Sequence, residues 1–305
     1  MVIYVIGHLA IDEVIINGKN LPISLGGTAA FSSLVCSRFV DAKNVSVISK
    51  VGPDFPLEFL DYLTRSGINT QFVDKVKRHS TRYRLEYIDD ERELTLKSVC
   101  APITIEDFPE ELFNAQLIYF GPIANEIPIE TIIATKERSN SIVALDIQGL
   151  IRHRTSKGEL YFKSGPKIDE LLEYIDIIKL DLKESQIVSG ASKFRQIVSY
   201  LSSLGVKMFI ITKSRRGSEL YYMGKLIKIP SIILRQIYNT TGAGDCFFSS
   251  FLMEYLKNKD PLQAVQFATK AVSYLIGSET GIQSFFENGD IYTLIEKFIQ
   301  ENRVK

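Results

Sequence analysis

Six short runs of the chain, at 2–6, 45–48, 117–120, 142–146, 175–179 and 208–212, are almost continuously apolar and rich in β-branched residues. Such runs predict strands covered on both faces, because a strand with one face in water alternates polar and apolar positions. Between them, apolar positions recur at helical spacing over 29–39, 57–66, 129–139 and 194–204. Strand, helix and strand at these separations make crossover units and a parallel sheet. The last third predicts helices over 244–256 and 262–276. The second is punctuated by Asp260 as N-cap, Pro261 at its first position and Gly277 after its end.

Two stretches depart from this rhythm. Residues 13–16 and 21–24 flank Asn17-Gly18, a pair that supplies the positive φ of a tight hairpin turn. Residues 81–88 and 93–99 alternate on either side of Asp89-Asp90-Glu91-Arg92, with Tyr83, Leu85 and Tyr87 on one face. They predict a second antiparallel hairpin, half exposed. Hairpins inserted into an α/β chain point to a small sheet that covers the main body. With no internal repeat and no Pro/Gly/Ser-rich linker, residues 1–305 read as one domain, its lid hairpins spanning about 12–25 and 80–100.

The 305 residues are 45% hydrophobic and 24% charged, which excludes a disordered or low-complexity chain. Lys plus Arg and Asp plus Glu balance at 36 each, so no electrostatic footprint for nucleic acid or an anionic membrane is present. Cys36, Cys100 and Cys246 stand far apart with no CxxC pair, as in a reducing compartment. His8, His79 and His153 have no metal-ligand neighbour at close spacing, which argues against a zinc hydrolase. The opening residues lack the charge pattern of a signal peptide, and no stretch reaches the roughly 18 apolar residues of a membrane span. A cytoplasmic protein is expected.

The densest chemical signal is Asn239-Thr240-Thr241-Gly242-Ala243-Gly244-Asp245, which runs straight into a helix with Phe247, Phe248, Phe251, Leu252 and Tyr255 on one stripe. Small residues ahead of a helix let backbone N–H groups converge on one point, and the helix dipole adds partial positive charge there. This is an anion site. Asp245, in the first turn, either merely complements the dipole or accepts a proton from a hydroxyl while the amides hold the charge of a transferred phosphoryl group.

This string resembles the second signature of the ribokinase-like (PfkB) carbohydrate kinase family, and the surrounding order agrees over nearly the whole chain. The resemblance implies a three-layer α/β fold: a mainly parallel central sheet flanked by helices, with a small β-sheet lid. It also implies transfer of the γ-phosphoryl group of ATP, with Mg2+, to a small-molecule alcohol. Asp245 would be the catalytic base, the amides of Gly242, Ala243 and Gly244 the anion hole, and Thr241 a neighbour of the nucleotide.

Asp12 stands at the family's sugar-gripping position; as a turn acid it would only cap the hairpin. Gly26-Gly27 opens a helix, either for close backbone approach to the acceptor or as a plain turn. Ala10 and Phe31 stand where the family often has Asn. Phe31 exchanges a polar grip for an apolar wall, which removes support for a pentose. Gly52 and Asp54 match the family's next loop, with Asp54 also placed as a helix N-cap before Pro56.

Asp146-Ile147-Gln148-Gly149-Leu150-Ile151-Arg152 follows a strand, and ligands in open α/β sheets sit at strand C-terminal ends. Arg152 either binds phosphate or a substrate oxygen or is a solvated helix cation. This string and residues 26–31 look similar to the inositol-kinase branch of the family. Lys179-Leu180-Asp181-Leu182-Lys183-Glu184 is similar to the family's Asn-x-x-Glu motif, with Asp181 in the Asn position. The resemblance places Glu184 near Mg2+, against a merely acidic helix turn. Thr212 and Gly217 are what remains of a Thr-x-Gly-x-x-Gly turn beside the nucleotide, Ser214 replacing the first Gly. The adenine pocket is expected among apolar residues near 227–233 and the last helices. Asn239 stands where the family most often has Asp, which bears on a monovalent-cation site. His8 is expected as a satisfied buried histidine and Cys246 as a small buried hydrophobe.

An ATP-dependent sugar or polyol kinase follows, acting on a hexose, an inositol-like polyol or a sugar acid. The alternatives are a nucleoside kinase of the same family and a catalytically silent binding protein on the same scaffold. A dinucleotide oxidoreductase is set aside, because Gly7-His8-Leu9-Ala10 does not supply G-x-G-x-x-G. The lid's apolar face and open edge are expected to pair with a second copy.

Overall fold

The computed structural model describes residues 1–88 and 91–304, and among them nine strands form the main sheet. From edge to edge these are Lys225–Ile229, Ser218–Tyr222, Met208–Thr212, Ile177–Asp181, Ile142–Asp146, Leu117–Phe120, Ile3–Ile6, Val45–Val51 and Asn69–Lys75. The last seven pair in parallel, while the first two fold back as an antiparallel hairpin. All six apolar runs of the sequence are in this sheet.

The pleat divides each buried strand between two helical layers. Ile3 and Val5 pack with the helices Thr28–Cys36, Ala243–Asn258 and Pro261–Gly277. Tyr4 and Ile6 pack on the other face with Ile129–Arg138, Ile168–Glu173 and Phe194–Ser203. This alternation accounts for the unbroken apolar runs, since each side chain meets a core whichever way it points. The helix Pro261–Gly277 is capped as the sequence predicts, with the Asp260 carboxylate accepting from the N–H groups of Leu262 and Gln263. Among the described residues, no helix is long and apolar enough to cross a membrane.

The two hairpins join into one small sheet. Ala10–Ile16 turns through Asn17 (φ 48°) and Gly18 (φ 77°) into Lys19–Asn20, and pairs again with Ser24–Gly26. The first return strand is thus split in two rather than continuous over 21–24. Ala10–Ile16 also pairs in parallel with Thr81–Ile88, which is antiparallel to Glu91–Ser98. Tyr83 and Leu85 bury one face against Leu96, Ile123 and Ala124. The predicted turn at Asp89-Asp90 lies outside the described residues, as does the side chain of Tyr87. A further ribbon, Arg152–Arg154 with Leu160–Phe162, went unpredicted. It makes Arg152 a strand residue, not a helix cation.

Candidate active site

The helix Ala243–Asn258 starts at Gly242, whose φ of 73° is left-handed and whose missing Cβ would lie 2.7 Å from the Phe31 ring. Asn239 Oδ1 accepts from the Thr241 N–H at 2.8 Å, tightening the turn ahead of the helix. The Ala243 N–H donates to the Thr240 carbonyl at 3.2 Å. The next first-turn donors, on Gly244 and Asp245, have no backbone acceptor among the described residues.

Two concavities meet at this helix start. The smaller, of about 210 Å³, is lined by Asp12, Gly27, Phe31, Tyr83, Arg152, Thr241 and Asp245 among others. The larger, of about 960 Å³, is lined by Asp181, Thr212, Arg215, Gly217 and residues 231–237 on one side. Lys179, Thr240, Ala243 and Gly244 belong to both.

Asp245 faces the smaller pocket, and its Oδ1 is shielded from solvent with no hydrogen-bond partner. Burial, reinforced by the charge of Asp146, pushes its carboxyl up to about 6 against the pull of Lys179, Thr28 and Arg152. Such a group is ionised at neutral pH yet basic enough to take a proton from an alcohol in a transition state. Lys179 and Asp146 are register partners on adjacent strands, and Nζ donates to Oδ2 at 2.9 Å with both groups buried. Burial opposes the charge on Lys179, but Asp146 and Glu184 outweigh it and hold the ammonium protonated. A Cβ on Gly244 would lie 3.3 Å from that ammonium, so the lysine reaches the helix start itself.

Arg152 enters the smaller pocket from the extra ribbon. Its guanidinium donates to the Ile123 carbonyl at 3.2 Å and to Gln148 Oε1 at 3.0 Å, while Gln148 Nε2 donates to Thr28 Oγ1 at 2.9 Å. Gly26 does not line the pocket, but a Cβ there would stand 2.3–2.5 Å from the Asp12 carboxyl atoms. Its bareness is what lets Asp12 lie where it does. Gly27 (φ 95°) lines the wall and backs onto the His8 carbonyl.

In the larger cleft, Gly217 (φ 83°) passes so close to Ile229 that a Cβ would meet its carbonyl oxygen at 2.1 Å. Thr212 and Arg215 line the cleft; Arg216 does not. Glu184 lines neither cavity. It forms a capping box with Asp181: Asp181 Oδ1 accepts from the Glu184 N–H at 2.7 Å, and Glu184 Oε2 accepts from the Asp181 N–H at 2.6 Å. Burial then pushes the Glu184 carboxyl up to about 7. Asp54 caps no helix, since Pro56 holds that position; it accepts from the Ser80 N–H at 2.8 Å and ties down the root of the small sheet.

The sequence profile of the pfkB family of carbohydrate kinases matches residues 1–287. The chain belongs to this family. It is therefore a phosphotransferase acting on hydroxyl groups, a sugar, inositol or nucleoside kinase with the ribokinase-like α/β fold. It is 25% identical to the cytidine kinase of Thermococcus kodakarensis over 85% of this chain and 90% of that one. Arabidopsis thaliana ribokinase, solved with ribose and ATP, superposes with a TM-score of 0.75 at 20% identity, covering 97% and 98% of the two chains. A pyrophosphate-dependent myo-inositol-1 kinase converted into a myo-inositol-3 kinase gives 0.77 at 22% identity, covering 98% of each.

Sequence reasoning missed several residues of this pfkB kinase that the fold brings together: Lys179, Asp146, Gln148, Thr28 and Tyr83. A readable signal did exist for two of them. Asp146 and Lys179 are charged residues at the ends of apolar runs, and a charge on a buried strand needs a partner. The tie between Gln148 and Thr28, 120 positions apart in sequence, has no such mark.

Proposed function

We propose that this kinase moves the γ-phosphoryl group of ATP to a hydroxyl of a small polyhydroxyl acceptor: a hexose, an inositol-like polyol or a sugar acid. One observation carries the reading. The two cavities share Lys179 and the start of the Gly244 helix, while Asp245 lines only the smaller one. A donor in the larger cleft and an alcohol in the smaller would meet across that junction, where direct transfer needs them.

The acceptor hydroxyl gives its proton to Asp245 as its oxygen attacks. The Gly244 and Asp245 amides, the helix dipole and Lys179 hold the charge that spreads over the phosphoryl oxygens. Asp12 and Arg152, which both line the cup beside Tyr83, orient the acceptor, and the small sheet serves as a lid that keeps water from the phosphoryl group. The size of the larger cleft and its exposed Ile233 and Ile237 favour a nucleotide over pyrophosphate as donor, because a flat base buries apolar surface there. Among the described residues, no group of three or more His, Cys, Asp or Glu is placed to hold a metal. Mg2+ would come in on the phosphates, and Asp181, which lines the larger cleft and is held by Glu184, would be the carboxylate available to it. There the ion would neutralise phosphate charge.

A nucleoside acceptor is the second reading, favoured by the apolar wall of Phe31, Leu85 and Leu94 and by the resemblance to a cytidine kinase. Release of ADP from Mg-ATP, measured across hexoses, inositols, sugar acids and nucleosides, separates the two. Turnover confined to nucleosides would overturn the first, and ATP binding with no turnover on any acceptor would favour a silent scaffold. Exposed Ile16, Leu21 and Ile23 on the small sheet would pair with a second copy. A monomeric mass at micromolar concentration by light scattering removes that pairing.

A further inference from the structure

One wall of the larger cleft is irregular chain. Residues 230–242 leave the edge strand Lys225–Ile229 and run to the helix at Ala243 without forming a helix or strand of their own. Residues 231–237 line the cleft, and this same segment delivers Thr240 to the junction and leads into the helix that carries Ala243, Gly244 and Asp245. Backbone of this kind must be held from outside, or a ligand that rests on it bears the cost of ordering it.

Three backbone hydrogen bonds anchor 230–238 to the rest of the fold among the described residues. The Tyr238 N–H donates to the Ile276 carbonyl at 2.9 Å. The other two go to residues 302–304: the Val304 N–H donates to the Ile233 carbonyl at 2.9 Å, and the Arg235 N–H donates to the Asn302 carbonyl at 3.1 Å. Leu234 and Arg303 face each other across this bridge as antiparallel partners. The preceding helix, Ile291–Asn302, adds a side-chain grip. Phe298 and Leu234 close on Gly277 from two sides, where a Cβ would lie 2.6 Å from Phe298 and 2.9 Å from Leu234. Phe298 and residues 302–304, which supply this grip, lie beyond residue 287, where the match to the family profile ends.

We infer that residues 302–304 are positioning residues for the donor, a helix end and its extended tail that pin the wall of the nucleotide cleft from behind. The inference rests on the reading of the larger cleft as the donor site. Residues 302–304 touch no reacting group. They fix Ile233 and Arg235, and their loss weakens the donor while leaving the acceptor cup intact, because none of them belongs to the lining of the smaller pocket.

Val304→Pro removes the N–H that Ile233 accepts from, and Val304→Ala keeps it. Two readouts apply to both variants and the parent: ATP affinity by calorimetry, and hydrogen exchange of the amides of 233–238. Val304→Pro is expected to weaken ATP about tenfold, with faster exchange over 233–238 and an unchanged acceptor KM. Val304→Ala behaves as the parent. Unchanged exchange overturns the clamp, and faster exchange with unchanged ATP affinity overturns its part in donor binding. Should Val304→Pro fail to fold, a chain ended at Asn302 carries the same expectations. If the parent itself binds no ATP, the donor reading falls, and exchange alone decides whether 302–304 hold the wall.

Discussion

Asp245→Asn separates the chemical role of this residue from its structural one, because the two move in opposite directions. The substitution keeps the volume and removes the charge. A general base contributes a factor of about 10²–10⁴ to a rate, so kcat should fall by that much with the acceptor KM little altered. Stability should rise. The folded state holds this carboxyl at about 6 against an ordinary 3.8, chiefly through burial. The proton is bound more tightly in the folded protein, so the ionised form destabilises the fold above pH 6, and this loss is relieved as pH falls through 6 towards 3.8. The gap corresponds to at most about 3 kcal/mol at neutral pH, less where pocket water solvates the group. The neutral amide of the variant carries no such penalty. Melting at pH 7.5 should therefore rise by a few degrees, and the difference should vanish near pH 4. In the parent, kcat/KM should fall tenfold per unit below about pH 6. Paired measurement of turnover and melting across pH tests both halves. A rate loss under tenfold refutes the base, and a lowered melting temperature at pH 7.5 refutes the electrostatic account.

Two further substitutions probe the walls. Gly26→Ala forces a methyl into the space of the Asp12 carboxyl, and the acceptor KM should rise about tenfold or more with the ATP KM unchanged, as read by steady-state kinetics; an unmoved acceptor KM would remove Asp12 from the cup. Lys179→Met leaves Asp146 buried without its cation, and denaturant unfolding should show a loss of roughly 3–5 kcal/mol, recovered in part by adding Asp146→Asn. No recovery in the double variant would mean that the pair is not the coupled unit described.

The sheet was legible because its strands are buried on both faces, and short unbroken apolar runs between helical segments seldom arise from anything else. The strands that escaped lack that mark. Asn69–Lys75 sits at an edge with mixed side chains, and Ser218–Tyr222 turns into Lys225–Ile229 through Met223 at φ 47°. Gly224 completes this turn at φ 79°, but Met in the first position, where Asn or Gly is usual, leaves only half of the sequence signal. The same division holds in the site. Gly242-Ala243-Gly244-Asp245 is one contiguous string whose small residues announce a helix start that approaches an anion. Arg152, Gln148, Thr28 and Tyr83 converge from separate segments, and only the topology brings them together. The Glu184 capping box was also open to sequence, since an acid at Asp181 and Glu three residues on is its ordinary pattern.

The joint between the two sheets sets how the cup can work. His8 sits there fully buried, and its backbone N–H donates to Glu126 Oε1 at 3.0 Å. Its Nε2 lies 2.9 Å from the Ala101 carbonyl, which can only accept, so Nδ1 is left to accept from the Thr81 hydroxyl at 2.7 Å. Burial lowers the pKa of the ring, favouring the neutral form that this pattern needs. Thr81 begins one strand of the small sheet and Ala101 follows the end of another, so one imidazole fastens both roots. One side chain thus ties the two roots of the small sheet to the first strand of the main one. Disturbing that imidazole would loosen both roots at once, and with them the wall where Asp12, Gly27 and Tyr83 line the cup.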